Sequence, residues 1–370
     1  MSRIVALFSF LIIVSGATLA QEDLPALGSL DAGWNTMATD GVCSAGTPYQ
    51  FYVKPSAESS ELLVFFNGGG ACWFGQACDL NAEPNVHTPM ADIDANNPAV
   101  ADGIFNLENS RNPFANFNMV FVSYCNGDVH IGSGPRDYSY RNADRVDVTV
   151  TTYHDGYRNS QDALQWVYDN FPAPSKVVVS GSSAGAIGAS FYAGLVAEHY
   201  PQTPVILLAD GAGGYSSPNL HRVFEAWNVS EILPAWSEYA GQTNLSLTFE
   251  DFYIASALHN DNLTIAQYNT AEDRVQKNFT YLLGDPPTSF KLPERILNNY
   301  LQIENAVDRF YTYTAGGDYH TILGFPVFYE YEVEGVSFVD WVGDLINGET
   351  VADISCVNEV RGCSDSPIAD

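Results

Sequence analysis

The pentapeptide Gly181-Ser182-Ser183-Ala184-Gly185 has the spacing of a nucleophile elbow, in which a serine stands on a sharp turn between a strand and a helix. A β-branched apolar run precedes it at residues 176–180, and small residues begin a helix at Ala186. Glycines two residues before and after the serine tolerate the strained backbone that exposes its hydroxyl. A tight turn without chemistry is the alternative. We predict that Ser183 is a nucleophile.

A run of glycines at residues 68–70 follows an apolar strand predicted at 61–66. Bare backbone at the end of a strand lets amides approach a developing negative charge, which is typical of an oxyanion hole. The amides of Gly69 and Gly70 are predicted to act with that of Ala184, the residue after the serine. A flexible turn closed by a nearby disulfide is the alternative interpretation.

Residues near these turns are candidates for contacting a substrate. Asn67 and Trp73 flank the glycines, and Asp128 and His130 follow a strand predicted at 118–124. The ends of parallel strands form the sites of α/β sheets, so these side chains are predicted to line a cleft. For Asp128, a turn carboxylate bonded to local amides is an equally good interpretation.

A serine hydroxyl needs a base, which a carboxylate orients in turn. In hydrolases with a nucleophile elbow the chain order is serine, then acid, then histidine. Four histidines follow the serine, and only His320 lies in a glycine-rich turn after a strand, predicted at 309–314. We predict that His320 is the base; the other three are His199, His221 and His259.

The residues alone leave two candidates for the acid. Asp210 ends a buried strand predicted at 204–209. Asp273 lies three residues after Thr270, a spacing that also fits helix capping with Thr270 as the N-cap. Both carboxylates stay open at this point.

Five ordered motifs resemble those of the pectin acetylesterase family, which includes plant and bacterial pectin acetylesterases and animal Notum carboxylesterases. They are Phe66-Asn67-Gly68-Gly69-Gly70-Ala71-Cys72-Trp73, Tyr124-Cys125-Asn126-Gly127-Asp128, Gly181-Ser182-Ser183-Ala184-Gly185, the Asp-x-x-Gln of Asp273 and Gln276, and the His320 turn. The resemblance implies a triad of Ser183, Asp273 and His320, with Asp210 as the second candidate for the acid. It also implies a Cys72–Cys78 disulfide beside the oxyanion loop.

The chain departs from the family pattern beside that loop. Asn67 stands where relatives often carry Glu, and Ala71 replaces a frequent Trp, so substrate fit is expected to differ. The formal charge of −29 excludes nucleic acid as a partner. It is also expected to repel the polyanion pectin unless basic residues gather at the cleft; the candidates are Arg136, Arg158 and Lys277.

The first twenty residues have the pattern of a secretory signal peptide, with Arg3, an apolar stretch at residues 4–14 and small residues at 17–20. Nothing later approaches the roughly 18 apolar residues of a membrane span. Six cysteines in an exported chain indicate up to three disulfides. Local spacing favours Cys72 with Cys78 and Cys356 with Cys363, which leaves Cys43 for Cys125. No metal or cofactor is implied.

We therefore predict a secreted, monomeric protein that does not bind a membrane. Residues 21–370 are predicted to form one α/β-hydrolase-like domain, with a mostly parallel sheet flanked by helices and a lid-like helical insertion at 215–305. The predicted activity is that of a serine carboxylesterase, with an acetylated polysaccharide such as pectin as substrate. Esters of longer acyl chains, transfer of the acyl group to another alcohol, and a non-catalytic binding protein of the same fold are the alternatives.

Overall fold

The structure is a computed structural model that describes residues 24–83, 85–285, 291–358 and 362–364. The predicted signal peptide, residues 1–20, lies outside the described residues. Within the part that is described, no helix is both long enough and apolar enough to cross a bilayer.

Nine strands form one central sheet, and two short hairpins lie outside it. In chain order, the strands of the described residues are β1 (Asn35–Val42), β2 (Pro48–Lys54), β3 (Glu61–Phe66), β4 (Asn118–Val122), β5 (Gly134–Arg141), β6 (Asp147–His154), β7 (Lys176–Ser182), β8 (Val205–Asp210), β9 (Leu263–Thr270), β10 (Phe310–Ala315), β11 (Glu332–Val333), β12 (Val336–Ser337) and β13 (Ile354–Ser355). The sheet order is β1-β2-β4-β3-β7-β8-β9-β10-β13. All its neighbours pair in parallel except β1 with β2 and β2 with β4.

Helices cover both faces of the sheet. They are α1 (Gly75–Cys78), α2 (Gly156–Asn170), α3 (Ala184–His199), α4 (Leu220–Ala226), α5 (Glu250–His259), α6 (Arg274–Leu282), α7 (Leu292–Glu304) and α8 (Phe338–Ile346). Side chains of α2, α3 and α5 belong to one buried cluster, and those of α8 belong to a second. The architecture confirms the predicted α/β-hydrolase-like class.

The central strands read as apolar runs because both of their faces are buried. In β3, Leu62 and Val64 pack in the first cluster, whereas Leu63 and Phe65 pack in the second. The same alternation holds in β7 and β8. Five of the six residues of β3 and all of β8 are buried, so these strands form the centre of the fold.

Strand β9 contradicts the prediction of a helical insertion over residues 215–305. It runs from Leu263 to Thr270 and lies between β8 and β10 in the sheet. Two buried residues of β9, Gln267 and Asn269, are polar. They interrupt the apolar run by which the other central strands are recognised in the sequence. Strand β10, at residues 310–315, pairs with β9 on one side and with the two-residue β13 on the other.

Three disulfides join the pairs that local spacing favours. Cys43–Cys125 ties the end of β1 to the turn after β4, and Cys72–Cys78 closes the loop after β3. Cys356–Cys363 closes a short loop after β13, and the carbonyl of Cys363 accepts a 3.1 Å hydrogen bond from the amide of Gly317.

Candidate active site

Ser183 occupies a strained turn between β7 and α3. Its φ of 55° and ψ of −122° lie in a region that non-glycine residues seldom adopt. Its amide donates a 2.7 Å hydrogen bond to the carbonyl of Asp210, at the end of the neighbouring strand β8. The side chain is 8% exposed. Both the backbone and the position match a nucleophile elbow.

Close backbone contacts explain the glycines around the serine. A Cβ on Gly181 would lie 2.3 Å from the carbonyl oxygen of Gly185, and one on Gly185 would lie 2.0 Å from that of Phe66. A Cβ on Gly68 would lie 2.6 Å from the carbonyl oxygen of Ser182. The elbow and the glycine loop therefore touch at positions that leave no room for a side chain.

The glycine loop, residues 67–70, is held by two aromatic side chains. The phenol of Tyr124 donates a 2.6 Å hydrogen bond to the carbonyl of Gly70. His130 Nε2 donates to the carbonyl of Asn67 at 2.8 Å. Burial lowers the pKa of His130 to about 4, so the imidazole is neutral, with its proton on Nε2. The carbonyls of the loop are thus fixed from outside the cleft.

Backbone amides without acceptors surround the serine. Within the described part of the chain, no hydrogen bond uses the amides of Gly69, Gly70 or Ala184 as donors. All three residues line cavities that Ser183 also lines. These amides are available to stabilise an oxyanion.

His320 and Asp273 form a close pair at the ends of β10 and β9. His320 Nδ1 lies 2.6 Å from Asp273 Oδ2. Asp273 is fully buried and is itself the N-cap of α6, with Oδ1 accepting from the amides of Val275 and Gln276 at 2.8 and 3.0 Å. The interpretation of Thr270 as the cap is therefore wrong, since Thr270 ends β9.

Ser183 and His320 lie on the wall of one cavity. Among the described residues, neither side chain makes a direct hydrogen bond to the other. His320 Nε2 therefore has no partner from the described chain, whereas Nδ1 is held by Asp273.

A chain of buried amides extends from Asp273 into the core. Gln276 Nε2 donates to Asp273 Oδ2 at 3.1 Å and to Asn269 Oδ1 at 3.2 Å. Asn269 Nδ2 then donates to Gln267, whose own amide donates to Asn299. Asn299 ends the chain by donating to the buried carboxylate of Glu250 at 2.9 Å. Gln276 is a motif residue of the sequence, but the remaining members were missed because they come from separate elements.

Asp210 lies between the elbow and the histidine turn. Its Oδ2 accepts from Ser182 Oγ at 2.8 Å and from the amides of Ile322 and Leu323 at 2.9 and 3.0 Å. Its Oδ1 is buried without a partner. Burial raises the pKa of Asp210 to about 6, although these hydrogen bonds act to lower it. The carboxylate does not hydrogen-bond His320; it joins the residues beside the two predicted catalytic side chains.

Asp128 does not reach the cleft, contrary to its prediction as a substrate contact. It is fully buried, and its carboxylate accepts from the amides of His130 at 3.1 Å and Gly156 at 2.8 Å. The turn interpretation is therefore the correct one. Asn67 and Trp73 do line cavities, and Asn67 Nδ2 donates to the carbonyl of Ala95 at 2.7 Å.

An apolar cavity lies on one side of Ser183. Its volume is about 40 Å³, and none of its lining residues is exposed. Its wall includes side chains of α3, α4 and α6 and of the segments that follow the glycine loop and flank α4 and α5; among them are Trp73, Ile187, Val223, Trp227, Phe249 and Phe279. We call this space the acyl cavity, because its chemistry suits a hydrocarbon group.

A larger cavity, with both polar and apolar residues in its wall, lies on the other side of the serine. Its volume is about 510 Å³, and its wall includes both Ser183 and His320. The exposed residues Asp94, Val100 and Phe325 lie on its rim, and Asp102 lies further in. We call this space the alcohol cavity.

The basic residues singled out in the sequence lie elsewhere. Arg136 donates to the carbonyl of Glu225, Arg158 pairs with Asp40 at 2.6 Å, and Lys277 pairs with Glu272. Neither cavity has an Arg or Lys among its described lining residues. The condition under which the charge would suit pectin is therefore not met by these three residues.

One group of described residues has the spacing of metal ligands, namely Cys72, Cys78 and His154. Both of its sulfur atoms belong to a disulfide, so they are not thiolate ligands. His154 is engaged by the carbonyl of Asn126 and the phenol of Tyr138. This cluster is therefore part of the core.

Comparison with known proteins gives a consistent family. A family model described as pectinacetylesterase matches residues 30–222. The palmitoleoyl-protein carboxylesterase NOTUM of Mus musculus is 28% identical over 179 residues, which are 46% of this chain and 33% of that protein. The human NOTUM carboxylesterase is also 28% identical, over 46% of this chain and 34% of its own. The chain thus spans about a third of the length of these two relatives.

A shorter relative carries a different description. The inactive palmitoleoyl-protein carboxylesterase notum1b of Danio rerio is 36% identical over 95 residues, which are 25% of this chain and 68% of that protein. Similarity in sequence therefore extends to proteins described as active and to one described as inactive.

Proposed function

Because this chain belongs to the pectinacetylesterase family, we propose that it is a secreted serine carboxylesterase that removes short acyl groups from a polysaccharide. Ser183 is the proposed nucleophile, His320 the base, and Asp273 the acid that orients the imidazole. The observation that carries the proposal is the 2.6 Å contact between His320 Nδ1 and Asp273 Oδ2, in a histidine that shares a cavity wall with Ser183.

In the proposed mechanism, Ser183 Oγ attacks the ester carbonyl and His320 Nε2 accepts the hydroxyl proton. Asp273 keeps the other imidazole proton on Nδ1 and offsets the charge of the imidazolium. The imidazolium then protonates the leaving alcohol as the C–O bond breaks. Water attacks the acyl-enzyme by the same proton route and releases the acid. The oxyanion of both steps is stabilised by amides of Gly69, Gly70 and Ala184.

The described residues of the free protein show no hydrogen bond between Ser183 and His320, so the proposed mechanism requires the two side chains to approach when substrate binds. In many enzymes without substrate the catalytic hydrogen bonds are long, and they tighten when the Michaelis complex forms.

The size of the acyl cavity favours short acyl groups. A buried water molecule needs a cavity of roughly 10–15 Å³. A cavity of about 40 Å³ therefore accepts about three or four water-sized groups, as in an acetyl to butanoyl chain. The relatives named above act on palmitoleoyl-proteins according to their descriptions, and so long a chain requires a larger space.

Esters of longer acyl chains are the second candidate, since every described wall of the acyl cavity is apolar or aromatic apart from Ser183 and Tyr215. Initial rates with 4-nitrophenyl acetate, butanoate and octanoate separate the two. We expect kcat/KM to fall from butanoate to octanoate. A maximum at octanoate would replace the short-chain proposal by the long-chain one.

The catalytic proposal is tested by Ser183→Ala. Removal of the nucleophile should lower kcat on 4-nitrophenyl acetate by about 10⁴-fold or more. A fluorophosphonate probe should label the wild-type protein at Ser183 and leave the variant unlabelled. If the wild-type protein neither hydrolyses esters nor reacts with the probe, it is a non-catalytic member of the fold, like the relative described as inactive.

Export is proposed on two grounds. The first twenty residues have the pattern of a signal peptide, and three disulfides suit an oxidising compartment. We further propose that the exported protein is a monomer. Mass measurement of the protein in the medium or periplasm, together with size-exclusion chromatography, tests both statements.

A further inference from the structure

The charge of the alcohol cavity restricts which ester can bind beside Ser183. Asp94 and Asp102 are the two carboxylates of its wall, and no Arg or Lys lies among its described lining residues. His320 is the one other titratable group there. Any substrate group that enters this space therefore meets negative charge without a compensating cation.

The rest of the molecule does not reverse this field. Its formal net charge is −29, from 15 basic and 44 acidic residues. Three basic side chains of the described residues are held in ion pairs with neighbouring acids: Arg158 with Asp40, Lys277 with Glu272, and Arg295 with Asp285. Arg274, which precedes the wall residue Val275, is exposed and is not itself part of the wall. A cleft whose wall and surroundings share one sign of charge lowers the local concentration of ligands of that sign.

The remaining wall of the alcohol cavity suits an uncharged sugar. Asn67, Thr88, Asn97 and Thr321 provide hydroxyl and amide groups, and carboxylates accept hydrogen bonds from hydroxyls. Phe325 is 44% exposed on the rim and offers an apolar ring to the C–H face of a pyranose. Polar groups in an otherwise open, partly apolar cleft are what a hydroxyl-rich ligand requires.

Resting on the esterase function proposed above, we infer that the alcohol half of the substrate is an uncharged, hydroxyl-bearing glycan, and that polyuronide chains are disfavoured. The acyl group enters the acyl cavity, and the sugar that carries it occupies the alcohol cavity. Carboxylates of a polyuronide would approach Asp94 and Asp102 within the roughly 8–10 Å over which charges are felt at moderate salt.

The sharpest test uses one polymer in two charge states. Acetylated polygalacturonate is compared with the same polymer after methyl esterification, which removes its carboxylate charge and keeps its acetyl groups. Acetate release should give a kcat/KM at least about tenfold higher for the neutral form at low ionic strength. The difference should shrink in 0.5 M sodium chloride, because salt screens the repulsion. Acetylated xylan should behave like the neutral form at both salt concentrations.

A charge-reversal pair assigns the effect to the cleft. Asp94→Lys should narrow the ratio between the two polymers by about threefold or more at low salt, with each rate normalised to that on 4-nitrophenyl acetate. Asp144→Lys makes the same change of charge in the exposed turn between β5 and β6 and should leave the ratio unchanged. Asp94 and Asp144 are both exposed, and neither carboxylate accepts a hydrogen bond from the described residues, so neither replacement is expected to unfold the protein.

Several outcomes would overturn the inference. Equal rates on the two forms of the polymer, or a faster rate on the charged form, would show that the cleft does not select against carboxylates. A neutral O-acetylserine peptide that is deacetylated faster than acetylated xylan would exclude the glycan. Hydrolysis of 4-nitrophenyl acetate tests the proposed function separately. If the wild-type protein shows no hydrolysis that depends on Ser183, the proposed function is overturned rather than the preference for a neutral glycan.

Discussion

Asp210 and Asp273 are both buried carboxylates near the histidine turn, but their hydrogen bonds differ. Asp273 Oδ2 contacts the imidazole of His320, whereas Asp210 Oδ2 accepts from Ser182 and from the amides of Ile322 and Leu323. The first carboxylate can orient the proposed base, whereas the second holds together the two segments that carry the proposed nucleophile and the proposed base. The residues alone left both candidates open, because Asp210 ends a predicted strand whereas the spacing of Asp273 also fits helix capping.

Matched asparagine variants separate these two roles. In Asp210→Asn the amide oxygen can keep the three hydrogen bonds of Oδ2, while the new NH₂ takes the place of the unpartnered Oδ1. We expect kcat to stay within about tenfold of the wild type. Asp273→Asn should lower kcat by about 10³- to 10⁴-fold, because the wrong imidazole tautomer is favoured. The reverse order of the two effects would make Asp210 the acid.

Gln276 is a positioning residue by its contacts. It touches no cavity wall, but its amide binds Asp273, Asn269 and the backbone amide of Gly214 at 2.7 Å. Each of its polar atoms is satisfied and fully buried, so the side chain holds Asp273 in one orientation.

Replacing Gln276 by Ala should lower kcat by about 10- to 100-fold with a smaller change in KM. Asp273 loses one of its donors and becomes a stronger acceptor for the imidazole, so the acidic limb of the kcat profile should move to higher pH. Gln302→Ala, on the exposed surface of α7, is the control for loss of a glutamine amide. An unchanged pH profile with reduced stability would reduce Gln276 to a structural role.

At the scale of elements, the site is assembled from the carboxyl ends of five neighbouring strands. The glycine loop follows β3, the elbow follows β7, Asp210 ends β8, Asp273 follows β9 and His320 follows β10. Parallel strands bring these ends to one edge of the sheet, although their positions in the chain are far apart. The proposed triad therefore depends on the sheet order more than on any local sequence.

Sequence patterns predicted the elements whose own residues are enough to indicate their structure. The apolar strands β3, β4, β7 and β8 lie where the pattern indicated, and so does the turn between β7 and α3. These strands are buried on both faces, so each leaves a short, continuous apolar run in the sequence.

The elements that were missed owe their form to distant partners. Strand β9 buries Gln267 and Asn269, which are satisfied by Asn299 and Tyr300 of α7 rather than by local contacts. Asp128 was placed in the cleft because its turn follows a strand end, but Gly156 of α2 captures its carboxylate. Such tertiary hydrogen bonds have no counterpart in local spacing.

Two residues of helix α6 and its cap belong to the site. The N-cap Asp273 contacts His320, and Phe279 lines the acyl cavity. Phe279 is only half-buried, so its truncation should enlarge the cavity without a large loss of stability. Phe279→Ala is expected to raise the ratio of octanoate to acetate kcat/KM by about tenfold. Phe325→Ala, on the rim of the alcohol cavity, should leave that ratio unchanged. An equal shift in both variants would contradict the assignment of the two cavities.

The whole molecule combines a strongly acidic surface with several titratable groups in its core. Burial raises the pKa of Asp128 from 3.8 to about 7, and that of Asp210 to about 6. Burial also lowers the pKa of His87 and His130 to about 4. The free energy of unfolding therefore depends on pH through the interior as well as through repulsion at the surface.

For Asp128 the sign follows from its raised pKa. Between about pH 4 and 7 the folded protein keeps a proton that the unfolded chain has lost, so this residue's contribution to stability falls as the pH rises and is constant above about pH 7. At roughly 1.4 kcal/mol per pH unit, the loss amounts to about 4 kcal/mol.

Asp128→Asn should remove this dependence. The unfolding free energy of the variant, relative to the wild type, should rise by about 3–4 kcal/mol from pH 4.5 to 7.5 in denaturant titrations. A difference that does not vary with pH would show that Asp128 ionises normally in the folded protein.

Among the described residues, Gly70 and Ser183 line both the acyl cavity and the alcohol cavity, so the two products of the proposed reaction lie on different sides of the serine. The alcohol leaves first, through the alcohol cavity, while the acyl group stays bound to the serine in the acyl cavity. The molecule that next enters the alcohol cavity determines the product. Attack by water gives hydrolysis, and attack by the hydroxyl of a second sugar gives transesterification. The partition between these products should therefore follow the concentration of acceptor sugar, with ping-pong kinetics.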